Sequence, residues 1–92
     1  MSIVVTVTTP GMTAELYDRS QEMMGVAGAL PPGCTHHIAG PGPDGWHVVA
    51  VWESSQALQR FVTEKLQPTL AELGVAPPPA PPVIFPLHAQ VG

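Results

Sequence analysis

Gly45-Trp46-His47-Val48-Val49-Ala50-Val51-Trp52 is the stretch on which the fold turns. A half-exposed strand alternates apolar and polar side chains, and this one does not: Val48, Val49, Ala50 and Val51 are all apolar. It reads as a strand covered on both faces. Before it, Cys34 to Ala39 reads as a second strand, with Gly40-Pro41-Gly42-Pro43-Asp44-Gly45 as the turn between them. So short a link makes the pair an antiparallel hairpin.

Working outward, Ile3 to Thr9 is wholly β-branched and reads as a first strand, stopped by Pro10-Gly11. Thr13 is placed to cap a helix, with Glu15 in its first turn where the helix dipole favours an anion. Leu16, Tyr17, Ser20, Met23, Met24 and Ala27 follow at helical spacing, and Leu30-Pro31-Pro32-Gly33 ends the element. On the other side, Ser54 or Ser55 caps a second helix carrying Leu58, Phe61, Val62 and Leu66. Pro68 sits where a new turn starts, and Leu70 and Leu73 lead to a stop at Gly74. Residues 77–82, Pro-Pro-Pro-Ala-Pro-Pro, form a stiff connector, since apolar Val83-Ile84-Phe85 follows. The last strand is expected to carry Leu87, His88, Ala89, Gln90 and Val91, at a sheet edge because Pro86 cannot donate to a ladder. The order β-α-β-β-α-β is the ferredoxin-like split βαβ pattern of an α+β domain: a four-stranded antiparallel sheet with two helices on one face. Its other face needs a cover, and a second copy of the chain is the simplest one.

Composition bounds the rest. Ninety-two residues make one domain, 1–92. The chain is 45% hydrophobic and only 11% charged, which favours a buried self-association surface and hence a homodimer. Arg19, Arg60 and Lys65 are its only basic residues, set against seven acidic ones, and the net charge of −4 excludes neutralising a nucleic acid backbone. The single cysteine, Cys34, excludes an internal disulfide framework. No signal peptide or membrane span is legible in the sequence, so a cytoplasmic protein is expected.

Four stretches resemble the small antibiotic biosynthesis monooxygenase-like (ABM-like) proteins of the dimeric α+β barrel superfamily. They are Thr13-Ala-Glu-Leu-Tyr17-Asp18; Pro32-Gly33 with His37 and Gly40-Pro41; Gly45 through Trp52-Glu53-Ser54; and Phe61 with Leu66-Gln67-Pro68 and Leu73-Gly74. The resemblance spans nearly the whole chain and implies a dimeric α+β barrel. The superfamily includes cofactor-free monooxygenases, haem-degrading enzymes, cyclases and isomerases. For this chain it implies cofactor-independent chemistry on a small hydrophobic, aromatic or polyketide-like metabolite, or non-catalytic binding of one. The family's monooxygenase pattern places an Asn four residues before the strand Trp; here Val48 precedes Trp52.

Adjacent strand residues face opposite ways, so His36 and His37 cannot share a site. Pairing Gly40 with Gly45 sets His37 opposite Val48, on one face with Trp46, Ala50 and Trp52. The other face then holds Cys34, His36, Ile38, His47, Val49 and Val51. The resemblance places the Trp52 face against a pocket between sheet and helices. His37 and Tyr17 are then the catalytic candidates, for acid/base work and for hydrogen-bonding the ligand. Trp46 and Trp52 would stack on it, and Met23, Met24, Phe61 and Leu66 would form the walls. Each has a plainer reading as core: His37 as a hydrogen-bonded core histidine, Tyr17 as helix-to-sheet packing, the methionines as filler. Cys34, His36 and His47 are within a tetrahedral metal's reach if they share a face. They lack a ligand-rich motif, and no metal is expected.

Overall fold

Ile3–Thr9 forms β1, an inner strand, in a computed structural model that describes residues 1–92. The helix α1 (Ala14–Met23) opens where Thr13 Oγ1 accepts the amide of Leu16 at 3.2 Å. It ends earlier than its apolar periodicity predicts. Gly25 takes a left-handed φ of 73°, its amide bonds Glu22 O at 3.0 Å, and the Val26 amide bonds Gln21 O at 3.0 Å. That double closure is a Schellman cap, so Ala27 lies outside the helix. From there to Pro31 the chain is a turn-rich segment leading into the hairpin.

β2 (Cys34–Gly42) and β3 (Gly45–Trp52) pair antiparallel around a turn made of Pro43 and Asp44 alone. Gly42, not Gly40, faces Gly45, and His37 lies opposite Ala50 rather than Val48. The pairing therefore differs from the expected one by two residues. An even shift keeps every side chain on its face, which is why His37 still sits beside the tryptophans. A β-bulge between Cys34 and His36 does change a face. Thr35 is the surplus residue, and Cys34 pairs with Trp52, on the side opposite His36.

After β3, Ser54 Oγ accepts the amide of Ala57 at 3.1 Å and starts α2 (Ser55–Phe61). The rod continues through a π-helical turn, Val62–Leu66, into α3 (Gln67–Leu73). Pro68 is the cause we identify: it has no amide to donate, and its ring would press on the carbonyl of Glu64 in a regular α-turn. Gly74, at φ 72°, closes the rod as expected. β4 is Val83–Pro86, paired with β1 from Thr6↔Val83 to Ile3↔Pro86. The expected strand over Leu87–Val91 is not formed. Instead the Leu87 amide bonds Ser2 O at 2.9 Å and Gln90 Nε2 donates to His36 Nε2 at 2.6 Å, carrying the tail from the β4 edge to the β2 edge.

The four strands run in the order β2-β3-β1-β4, all neighbours antiparallel. Val5, Cys34, Ala50 and Trp52 form the core cluster, flanked by Ala57, Leu58 and Phe61 of α2. Gly33 makes the helix approach possible: its φ is 88°, and a Cβ there would lie 2.6 Å from the Ala57 Cβ. Only 11 of the 92 residues are buried, because the molecule is hollow between sheet and helices and bare on the other face. That bare face carries Ile38 (68% exposed), Val83 (60%) and Phe85 (46%) beside Val49 and Val51. No helix is long and apolar enough to cross a membrane.

Candidate functional site

The hollow is a cavity of about 1090 Å³, lined by 32 residues of which 20 are hydrophobic. Its floor is the β3 face carrying Trp46, Val48, Ala50 and Trp52, with Val5 and Val7 from β1 and His37 from β2. Its roof is α1 and the α2–α3 rod. The segment from Val26 to Pro31 and Pro77, Pro78 and Pro82 of the connector complete the wall. A largely apolar concavity with few polar groups is the usual composition of a small-molecule site.

Those polar groups converge. Tyr17, on the face of α1 turned to the sheet, brings its hydroxyl into hydrogen-bond contact with His37 Nε2. The rings are stacked, with centroids 6.1 Å apart at 21°. On its other side Tyr17 packs against Trp46 at 5.1 Å and 34°. Ser20 Oγ donates to Tyr17 O at 2.7 Å, fixing the helix turn from which Tyr17 projects. Burial lowers the His37 pKa below its ordinary value and holds the ring neutral. Burial, reinforced by the negative charge of Asp18, raises that of Tyr17 and holds the hydroxyl protonated. A neutral imidazole offers one acceptor nitrogen, and we assign Nε2 that role, with the Tyr17 O–H donating to it. Further along the floor, Trp52 packs on Phe61 with centroids 5.4 Å apart at 41°.

The structure brings His37, Tyr17, Trp46, Trp52, Met24, Phe61 and Leu66 to one cavity wall. Met23 is the exception. It is 42% exposed and lies outside the wall, because the end of α1 leaves Met23 facing outward and the C-cap residue Met24 buried. His36 lies outside too, bonded to Gln90. The Cys34, His36 and His47 constellation does not assemble. The bulge moves the Cys34 thiol, whose pKa burial raises, into the core. His47 is held between Thr8 Oγ1 at 3.1 Å and Asp44 Oδ1 at 2.7 Å.

Sequence reading missed the connector prolines and Gln67 as cavity residues. Pro68 was the available signal for Gln67, since it marks a break in the regular helical advance at that residue. The strain-free stiffness of the proline run was legible, but its position over the cavity depends on the β1–β4 pairing.

Comparison of the sequence with protein-family models and with curated proteins gives no match. Solved structures do match over nearly the full length. A proposed antibiotic biosynthesis monooxygenase from Chloroflexus aurantiacus is 15% identical, with a TM-score of 0.65 over 99% of this chain and 95% of that one. SnoaB from Streptomyces nogalater, described as a cofactor-independent oxygenase, is 17% identical, with a TM-score of 0.59 over 98% and 94%. A third, a proposed antibiotic biosynthesis monooxygenase from Caulobacter crescentus, is 21% identical, with a TM-score of 0.56 over 98% and 89%. The chain thus has the ferredoxin-like α+β fold of the ABM-like proteins.

Proposed function

We propose that residues 1–92 act as one cytoplasmic domain, paired as a homodimer, that binds a small hydrophobic aromatic metabolite and removes a proton from it without a cofactor. The observation that carries this reading is the Tyr17–His37 hydrogen bond in the wall of the apolar cavity. A neutral His37 can take the Tyr17 proton as Tyr17 takes one from an enolisable or phenolic ligand. Two protons then move along one line, and the ligand is left as its anion. That step is common to cofactor-free oxygenation, cyclisation and isomerisation. The fold shared with SnoaB, described as a cofactor-independent oxygenase, supports it. The exposed apolar face of Ile38, Val83 and Phe85 supports the dimer.

Val48 favours a second reading, non-catalytic binding. It lines the cavity where the resemblance expects an Asn, and it offers no hydrogen bond to an oxygenated intermediate. A panel of aromatic phenols and ketones, followed by thermal shift and by mass spectrometry of products in air, separates the two. Turnover lost at least about 100-fold in His37→Ala and in Tyr17→Phe, with His36→Ala unaffected, is the expected result. A ligand-induced rise in Tm with no product, unchanged in Tyr17→Phe, would leave only binding.

A further inference from the structure

Charge is distributed around the cavity in one sense only. Its 32 lining residues include two carboxylates, Asp18 and Glu22, both exposed at the rim on α1, and neither lysine nor arginine. All three basic residues of the chain, Arg19, Arg60 and Lys65, lie outside the wall. Neither Thr13 nor Ser54, the residues that begin the two helical rods, lines it, so no helix dipole aims positive charge inward. An anion entering here would leave water for apolar surface and meet only negative charge.

One wall residue holds a buried polar atom that is unmatched. Trp46 is 8% exposed, and its Nε1 is the single buried side-chain nitrogen or oxygen with no hydrogen-bond partner. An indole N–H only donates, so what satisfies it must be an acceptor. An unpartnered buried donor is destabilising, and a site that leaves one open favours a ligand that closes it.

We propose that the cavity is selective for uncharged ligands, excluding carboxylates, and that the Trp46 indole N–H orients them through a carbonyl oxygen. The inference rests on the reading of the cavity as a small-molecule site and adds the ligand's charge and one of its functional groups. Trp46 borders the cavity, and a carbonyl oxygen seated against its indole would close that open donor. A carboxylate would also accept from Nε1, but one N–H does not offset a full charge moved beside Asp18 and Glu22.

Three naphthalenes of matched shape test this by calorimetry on the intact chain at neutral pH. They are 1-hydroxy-2-acetonaphthone, 1-hydroxy-2-naphthoate, in which an anionic oxygen replaces the methyl group, and 1-naphthol, which lacks the carbonyl. The ketone should bind at least about tenfold tighter than the carboxylate. Asp18→Lys, an exposed change that adds a cation at the rim, should shrink that ratio at least about threefold. Trp46→Phe should weaken the ketone by about tenfold and leave 1-naphthol within about twofold. Should Trp46→Phe fail to fold by circular dichroism, the preference of the unmodified chain for the ketone over 1-naphthol decides the indole's part. A carboxylate that binds as tightly as the ketone would overturn the charge selectivity. Equal responses of ketone and 1-naphthol to Trp46→Phe, or equal affinities for the unmodified chain, would overturn the role of Trp46. If none of the three binds, the small-molecule reading itself fails, which is a different result from either.

Discussion

Burial holds both His37 and Tyr17 in their uncharged forms, with Asp18 adding to the effect at Tyr17, and the fold records this as a dependence on pH. The folded state disfavours protonated His37, because burial lowers its pKa from the ordinary 6.5. The unfolded chain therefore binds the extra proton first as pH falls below about 6.5, and stability drops there. Tyr17 mirrors it: its folded pKa lies above the ordinary 10.0, so the unfolded chain ionises first and stability drops as pH rises past that value. Between the two limits the pair contributes fully. Urea titrations of the unmodified chain and of His37→Gln, compared from pH 5 to 8, should show a shallower acid limb in the variant, by up to about one proton. Identical slopes would mean that His37 is not held neutral. At this scale the sequence was informative about identity and poor about partners. Strand alternation separates His36 from His37, whereas no pattern of residues announces that Tyr17 would reach across from α1 to His37.

Two one-residue irregularities explain most of what element-level reading missed. Thr35 is surplus in β2 and the π-turn over Val62–Leu66 is overlong, and both arise from interactions invisible to local periodicity. Periodicity assumes that every strand residue alternates and every helical residue advances equally. It placed Cys34 with His36 for that reason, and it gave no hint of Gln67. Caps were more legible. Thr13, Ser54 and Gly74 bond as their chemistry suggests, yet Gly25, inside an apolar stretch, ended α1 unannounced. Gly33 is the junction most exposed to a single change, since it combines a left-handed φ with close contact to Ala57. Gly33→Ala should cost about 2 kcal/mol or more in denaturant unfolding, by strain and by pushing α2 off the sheet. Gly28→Ala has the same sign of φ, 75°, but open space around it, and should cost about 1 kcal/mol. Equal losses at the two positions would remove the close-packing argument.

Taken whole, the chain is hollow on one side of its sheet and apolar on the other. The strand order and the two-helix cover were readable from the succession of elements, and the unalternating β3 foretold that both sheet faces matter. A pocket was expected from the resemblance, but its size was not readable, because a void depends on how far apart two layers come to rest. If the bare face is the dimer interface, sedimentation at micromolar concentration should give twice the chain mass. Ile38→Glu and Val83→Glu together, both at exposed positions of the single chain, should give monomers that keep their helical circular dichroism. A monomeric unmodified chain would dispose of the barrel.

Two stretches of the cavity wall differ in compliance. Pro77, Pro78 and Pro82 have backbones already fixed in φ, while Gly28, amid small apolar neighbours, does not. One stretch is an anvil and the other a cushion. A ligand lengthened toward the prolines meets a wall that does not yield, whereas one lengthened toward Gly28 is met by a chain that can redraw itself. Tolerance for larger homologues of a ligand should therefore be lopsided, with growth permitted toward one stretch of the wall and refused toward the other.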